Sequence, residues 1–163
     1  MTMEKQVTVS RIFDASPEEL WKIWTEPEYV KQWWGPDKFT CPLAEIHFKE
    51  GSTSLVCMQA PPEFGGQASY SIWTYTKIVP FECIEFIQNL ANEKGAKQKP
   101  TALGMPPDFP PELHTTVTFK ARGTMTELTI TEESWTMGQM YVYSYAGTQQ
   151  MIDKLAAYLG EEA

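Results

Sequence analysis

The chain has 163 residues, of which 42% are hydrophobic and 13% aromatic, and it carries a formal net charge of −8. This composition excludes a disordered protein, because a chain of this length can bury about 70% of its unfolded surface. The negative charge argues against nucleic acid as a partner, since phosphate binding requires clustered lysine and arginine, and it gives no attraction to anionic lipid headgroups.

The cysteines and the apolar runs indicate the compartment. Cys41, Cys57 and Cys83 lie on separate predicted strands without CxxC spacing, which is typical of free thiols in a reducing cytoplasm. The N-terminus lacks the apolar run of a signal peptide, and no later stretch approaches about 18 apolar residues. The sequence therefore predicts a cytoplasmic protein with no membrane insertion.

A strand and two short helices are predicted near the N-terminus. Residues 6–14 alternate apolar and polar side chains, as a half-buried strand does. The stretch Ser16-Pro17-Glu18-Glu19 is typical of a helix start, because the serine can accept from the third helical amide and proline fits the first position. A second helix begins at Pro27, and Gly35-Pro36 ends it because proline cannot continue the hydrogen-bond ladder.

Two adjacent tryptophans, Trp33 and Trp34, share the apolar face of this second helix with Val30. Each aromatic side chain can remove about 150–250 Å² of surface from water. The pair is therefore interpreted as packing that fills the junction between the short helices and the sheet. A second interpretation is that Trp34 also lines the mouth of a cavity.

From residue 40 the apolar period changes to two. The predicted strands are 41–49, 53–60, 68–79, 82–91, 114–122 and 126–133. Their short connections favour an antiparallel meander, and a helix of about 20 residues, 138–159, closes the chain.

Charged side chains select the inner face of most strands, because an unpaired buried charge is costly. The residues placed inside are Ala44, Ile46, Phe48, Ile84, Phe86, Gln88, Val117, Phe119, Leu128 and Ile130. His47 is turned outward.

Strand 68–79 is ambiguous. If Lys77 faces solvent, alternation places three residues inside: Tyr70, Ile72 and Thr74. Trp73 and Tyr75 would then form an outer patch suited to a homodimer, unless a β-bulge reverses the faces.

These patterns predict an α+β fold in which a curved antiparallel sheet of about seven strands wraps around a long C-terminal helix, with two short helices after strand 1. Such an arrangement leaves an elongated apolar space between helix and sheet, suited to a small apolar or lipid-like ligand. The candidate ligand-binding residues are Trp34, Phe39, Phe48, Tyr70, Thr74, Phe86, Gln88, Phe119, Tyr141 and Tyr145.

A proline-rich segment, 92–112, interrupts the strands and holds five of the twelve prolines. Connections of this length are uncommon in a compact domain and are either functional or mobile. One interpretation is a flexible surface loop without a function; the other is a partial lid that brings Met105 and Phe109 over the cavity.

Catalytic chemistry has little support in the sequence. His47 and His114 are the two histidines, without metal-ligand spacing, so neither a metal site nor a cofactor is predicted, and no catalytic residue is assigned. His47 beside Glu45, or His114 near Glu112, could serve in acid–base catalysis if it faced the cavity. Glu132-Glu133 is interpreted as a solvated strand end.

Short stretches along the whole chain carry a family resemblance: Ser10-Arg11-Ile12-Phe13-Asp14-Ala15, Pro17-Glu18, Trp21, Trp24-Thr25, Pro27-Glu28, Gln32-Trp33-Trp34-Gly35-Pro36, Lys77-Ile78-Val79-Pro80 and Asp153-Lys154-Leu155-Ala156-Ala157-Tyr158-Leu159. The chain resembles the activator-of-Hsp90-ATPase-homologue type of the Bet v 1-like, START-like (SRPBCC) superfamily. The resemblance implies a helix-grip fold over one domain, 1–163, with 92–112 as a loop insertion and a hydrophobic cavity. The family often has Gly-Trp where this chain has Gly147-Thr148, and losing that tryptophan should open space beside the helix.

The sequence is compatible with three functions. The first is non-catalytic binding of a small hydrophobic ligand in the cavity. The second is an enzyme of cyclase or hydrolase type acting on a hydrophobic substrate, which requires a histidine or carboxylate inside the cavity. The third is a chaperone-related protein-interaction module, which only the family resemblance suggests.

Overall fold

A computed structural model describes residues 4–107, 109–136 and 139–160, and for residues 4–5, 134–136 and 139–142 it describes the backbone alone. The strands are β1 Glu4–Phe13, β2 Thr40–Glu45, β3 Thr53–Gln59, β4 Ala68–Val79, β5 Cys83–Ala91, β6 Leu113–Arg122 and β7 Met125–Thr136. The helices are α1 Pro17–Thr25, α2 Pro27–Trp33 and α3 Gln139–Tyr158, with short 3₁₀ turns at Pro62–Phe64 and Pro100–Leu103.

The seven strands form one antiparallel sheet in the order β1-β7-β6-β5-β4-β3-β2. Helix α3 lies on the inner face of the sheet and buries Thr148, Ile152, Leu155 and Ala156. Arg11 of β1 donates to Asp153 of α3 at 2.7 Å and so joins the edge strand to the helix. The prediction of an α+β helix-grip fold is confirmed.

Local sequence chemistry explains where the short helices begin and end. The hydroxyl of Ser16 accepts from the amide of Glu19 at 3.2 Å, as the capping pattern predicts. At the other end, Gly35 has φ +108°, and a Cβ there would lie 3.1 Å from the Cβ of Phe39. Glycine is therefore required at this turn.

The two tryptophans at the end of α2 are both buried, with Trp33 1% and Trp34 6% exposed. The Trp33 indole donates to the carbonyl of Ile23 at 3.0 Å and packs against Trp24 of α1. Trp34 meets Trp73 of the sheet edge-to-face with ring centroids 4.9 Å apart. The pair joins the short helices to the sheet, as the sequence predicted.

A β-bulge decides the faces of β4. The pairing of β4 with β5 shifts register between Tyr75 and Lys77, so that both Thr76 and Lys77 point to solvent. Trp73 and Tyr75 are only 1% and 2% exposed and belong to the core. The alternative with these rings outside is wrong, and the homodimer prediction loses the exposed patch on which it depended.

Strand β2 is shorter than the predicted strand 41–49 and ends at Glu45. Beyond it, the amide of His47 donates to the Ser54 hydroxyl at 3.0 Å instead of to a strand carbonyl. The side chain of Ser54 therefore takes the place of the next ladder bond. His47 is exposed, as predicted, while Ile46 and Phe48 still pack against the core.

The described part of the segment 92–112 forms turns of its own. The Asn92 carboxamide accepts from two turn amides, those of Lys94 and Ala96, at 2.9 and 3.0 Å. The chain then runs back along β5, where the Gln98 amide donates to Leu90 at 2.8 Å. After a 3₁₀ turn, the segment brings Met105 and Phe109 to the inner space beside α3.

Candidate ligand-binding cavity

A cavity of about 370 Å³ lies between the inner face of the sheet, helix α3 and the segment 92–112. Its volume falls in the lower part of the range that small-molecule sites occupy. The apolar wall is formed by Trp34, Pro36, Phe39, Met58, Leu90, Met105, Phe109, Pro110, Leu113, Tyr143, Gly147 and Met151. The polar positions are Gln67, Ser69, Ser71, Gln88, Asn89, Glu132, Ser144 and Thr148.

One side of the cavity is the turn after α2, and Lys154 of α3 holds it in place. The Lys154 ammonium donates to the carbonyl oxygens of Gly35, Pro36 and Phe39 at 2.9, 3.4 and 3.0 Å. Burial lowers the pKa of Lys154 below its ordinary value, and the nearby Asp37 opposes that shift. The turn that carries the cavity-lining rings of Trp34 and Phe39 is thus fixed to the helix.

A hydrogen-bonded cluster surrounds a buried carboxylate in the cavity wall. Glu132 of β7 is 7% exposed and accepts from the Ser144 hydroxyl of α3 at 2.9 Å. The Gln88 amide nitrogen donates to its other oxygen at 3.3 Å and to the Thr115 hydroxyl at 3.0 Å. These bonds hold the Glu132 carboxylate in one orientation between the sheet and the helix.

The predicted site residues fall into separate groups. Trp34, Phe39 and Gln88 line the cavity. Phe48, Phe86 and Phe119 do not line the cavity: Phe86 and Phe119 belong to the core, Phe48 packs against it, and the ring centroids of Phe86 and Trp73 are 5.0 Å apart.

The remaining predicted site residues are the tyrosines and Thr74. Tyr70 and Thr74 lie on the opposite face of β4 from Trp73, because successive side chains of a strand alternate. Tyr145 is 41% exposed, and the side chain of Tyr141 lies outside the described residues.

Apart from Gln88, sequence reasoning missed the polar part of the cavity, although the alternation of the strands indicated it. Leu128 and Ile130 were placed inside, and the same period of two places Glu132 on that face. Likewise, Ser69 and Ser71 share the inner face with Trp73 once the bulge is known. The contact of Glu132 with Ser144 gave no sequence signal, because it joins β7 to a helix.

The remaining chemistry-bearing groups lie elsewhere. His47 and His114 are both exposed and do not line the cavity. Among the described residues, no three His, Cys, Asp or Glu side chains come together in the way a metal ion requires. Within the same part of the chain, no helix is long and apolar enough to cross a membrane.

Comparison with protein families gives a match over almost the whole chain. Residues 14–160 match the model of the family described as Activator of Hsp90 ATPase homolog 1-like protein. The chain belongs to this family. Its members have the Bet v 1-like, SRPBCC architecture that the sheet and α3 form here. No curated protein matches the sequence.

Solved structures of similar fold include an AHSA1 protein and proteins from other bacteria. A Chromobacterium violaceum protein is 22% identical, with 94% of this chain and 95% of the other covered and a TM-score of 0.76. An Arthrobacter aurescens protein is also 22% identical, with 100% and 92% covered and a TM-score of 0.76. The AHSA1 protein of Silicibacter pomeroyi is 19% identical, with 96% and 98% covered and a TM-score of 0.73. At these identities the likeness concerns the fold.

Proposed function

We propose that this protein binds a small, mostly apolar molecule, without catalysis, in the cavity between the sheet and α3. The observation that carries the proposal is the 370 Å³ space, walled by aromatic and methionine side chains and holding a few convergent polar groups at Gln88, Glu132 and Ser144. Apolar walls supply binding energy, and a few fixed polar groups set the orientation of a ligand.

The cavity wall combines fixed and adaptable parts. Trp34 and Phe39 stand on the turn that Lys154 holds, so this side is pre-organised for binding. Met58, Met105 and Met151 stand at other points of the wall, and their flexible thioethers suit ligands of varied shape. The segment 92–112 contributes Met105 and Phe109 to the wall, which supports its interpretation as a partial lid. The whole chain, 1–163, is proposed to form one domain with this segment as an insertion.

Binding is proposed to take place in the cytoplasm. All three cysteines are free thiols, two of them buried, which accords with a reducing compartment.

The experiment that tests the proposal is native mass spectrometry of the protein purified from its own host, followed by organic extraction of any retained molecule. Ser71→Phe places a ring in the cavity from the sheet side, and Ser10→Phe, on an exposed position of β1, is the matched control. We expect a defined small molecule on the wild-type protein and the control, and its loss from Ser71→Phe. An empty wild-type protein that takes up no molecule from host extract would overturn the proposal and favour the chaperone-related interaction module.

A second candidate, an enzyme of cyclase or hydrolase type, is favoured by one observation. Glu132 supplies the inward carboxylate that such a reaction requires of a general base, whereas both histidines stand outside. The two functions are separated by the extracted molecule, which an enzyme would convert over time and a binder would return unchanged. Glu132→Gln would abolish such conversion.

A further inference from the structure

The cavity wall presents hydroxyl groups that the surrounding protein does not use. Ser69, Ser71 and Thr148 line the cavity, and within the described residues none of their hydroxyls takes part in a hydrogen bond. Thr148 is only 3% exposed, so bulk water has little access to it. Buried polar groups in proteins are normally hydrogen-bonded, which indicates that an occupant of the cavity supplies the partner.

These hydroxyls stand on opposite walls in otherwise apolar surroundings. Ser69 and Ser71 follow one another on the inner face of β4, about 7 Å apart along the strand, while Thr148 belongs to α3. The partners of the two serines on the neighbouring strands include Met58 and Leu90, which also line the cavity. A ligand between the walls therefore meets a few separate hydroxyls on an apolar surface.

The charges of the wall disfavour an ionised ligand. No lysine, arginine or histidine is among the described lining residues, so a carboxylate or phosphate would be buried without a counter-charge. Glu132 accepts from Ser144 and Gln88 and has a further interaction within the protein. Because the protein already engages this carboxylate, an ammonium ligand would gain too little there to offset the loss of its own hydration.

We infer that the cavity selects uncharged molecules with an apolar body and one or more hydroxyl or carbonyl groups. The apolar body lies against the aromatic and methionine wall, and the oxygen atoms hydrogen-bond with Ser69, Ser71 and Thr148. A side-chain hydroxyl both donates and accepts, so it suits an alcohol and a carbonyl alike. This inference rests on the proposed function and names the ligand class for the same cavity.

The first test is titration calorimetry at neutral pH with three probes of equal chain length: 1-octanol, octanoate and octylamine. The acid and the amine are both ionised at this pH, so the probes differ chiefly in charge. Wild-type protein is expected to bind octanol at least about tenfold more tightly than either ion, because burying an unpaired charge is costly.

The second test removes the hydroxyls. Thr148→Val keeps the shape of the side chain, and Ser71→Ala changes it little, so the double variant should retain the cavity. We expect it to bind octanol about tenfold more weakly than the wild-type protein. Thr118→Val is the matched control, because Thr118 lies on the opposite face of β6 from the core residues Val117 and Phe119, and it should bind octanol as the wild-type protein does.

The outcomes separate this inference from the proposed function. If octanoate or octylamine binds as tightly as octanol, or if the folded double variant binds octanol unchanged, the inference is overturned while cavity binding stands. Should the double variant not fold, the preference of the wild-type protein decides. If no probe binds, the molecule extracted from the native protein decides: an uncharged alcohol or carbonyl compound supports the inference, and an acid, phosphate ester or amine overturns it. An empty native protein that binds no probe overturns both.

Discussion

The hydroxyl oxygens of Tyr75 and Ser54 lie 2.8 Å apart in the interior, where each side chain is at most 2% exposed. Ser54 also accepts from the amide of His47, so the hydroxyl pair joins β4 to the end of β2 through β3. The contact exists because the bulge after Tyr75 turns that ring inward. Such a buried pair is favourable because each hydroxyl has a hydrogen-bond partner in an interior that water does not reach.

Alkaline unfolding should report on Tyr75. Burial raises the pKa of Tyr75 from 10.0 to about 12, although the Ser54 hydrogen bond opposes the shift. A raised pKa in the folded state means that the stabilisation is fully present below pH 10.0 and is lost as the pH rises towards about 12. Urea unfolding across this range should show the loss of stability in the wild-type protein and a smaller loss in Tyr75→Phe.

The comparison must allow for Cys41, whose pKa burial raises to about 11 and which titrates in both proteins. Equal pH dependence of the wild-type protein and Tyr75→Phe would contradict the assignment to Tyr75.

Replacing Lys154 should loosen the turn after α2. Lys154→Met keeps much of the aliphatic stem but removes the three hydrogen bonds to the carbonyls of Gly35, Pro36 and Phe39. Since hydrogen bonds to charged groups contribute about 1.5–3 kcal/mol each and these share one ammonium, we expect a loss of about 2 kcal/mol in the free energy of unfolding. Denaturant titration measures the change.

Lys22→Met, at an exposed position of α1, is the matched control for Lys154→Met and should stay within about 0.5 kcal/mol of the wild-type protein. If the two variants were equally stable, Lys154 would not hold the turn.

The three thiols should differ in reactivity. Cys41 and Cys57 are 5% and 1% exposed, whereas Cys83 is half-buried. Burial raises the pKa of all three, and the thiolate is the reactive species. Titration of the native protein with a chromogenic disulfide should show one thiol, Cys83, that reacts at a slow to moderate rate. The other two thiols should react only when the protein unfolds. Cys83→Ser should remove the first phase; its persistence would show that the strands around Cys41 or Cys57 open readily.

The amino-acid sequence by itself determined the local features of this protein. Ser16 with Pro17 marked the start of α1, and Gly35-Pro36 marked the end of α2, because caps and prolines act within a few residues. The inner faces of β5, β6 and β7 followed from charged and apolar alternation. The proline-rich segment was identified, and so were Trp34, Phe39 and Gln88 as cavity residues.

Tertiary structure decided what local rules leave open. The bulge after Tyr75 depends on how β4 pairs with β5, and that register brought Trp73 and Tyr75 into the core. The Glu132 side chain follows the alternation of β7 and points inward, but it is buried because α3 covers it and places Ser144 against it. A buried carboxylate is stable only where distant donors converge on it, and that convergence is a property of packing rather than of any one segment.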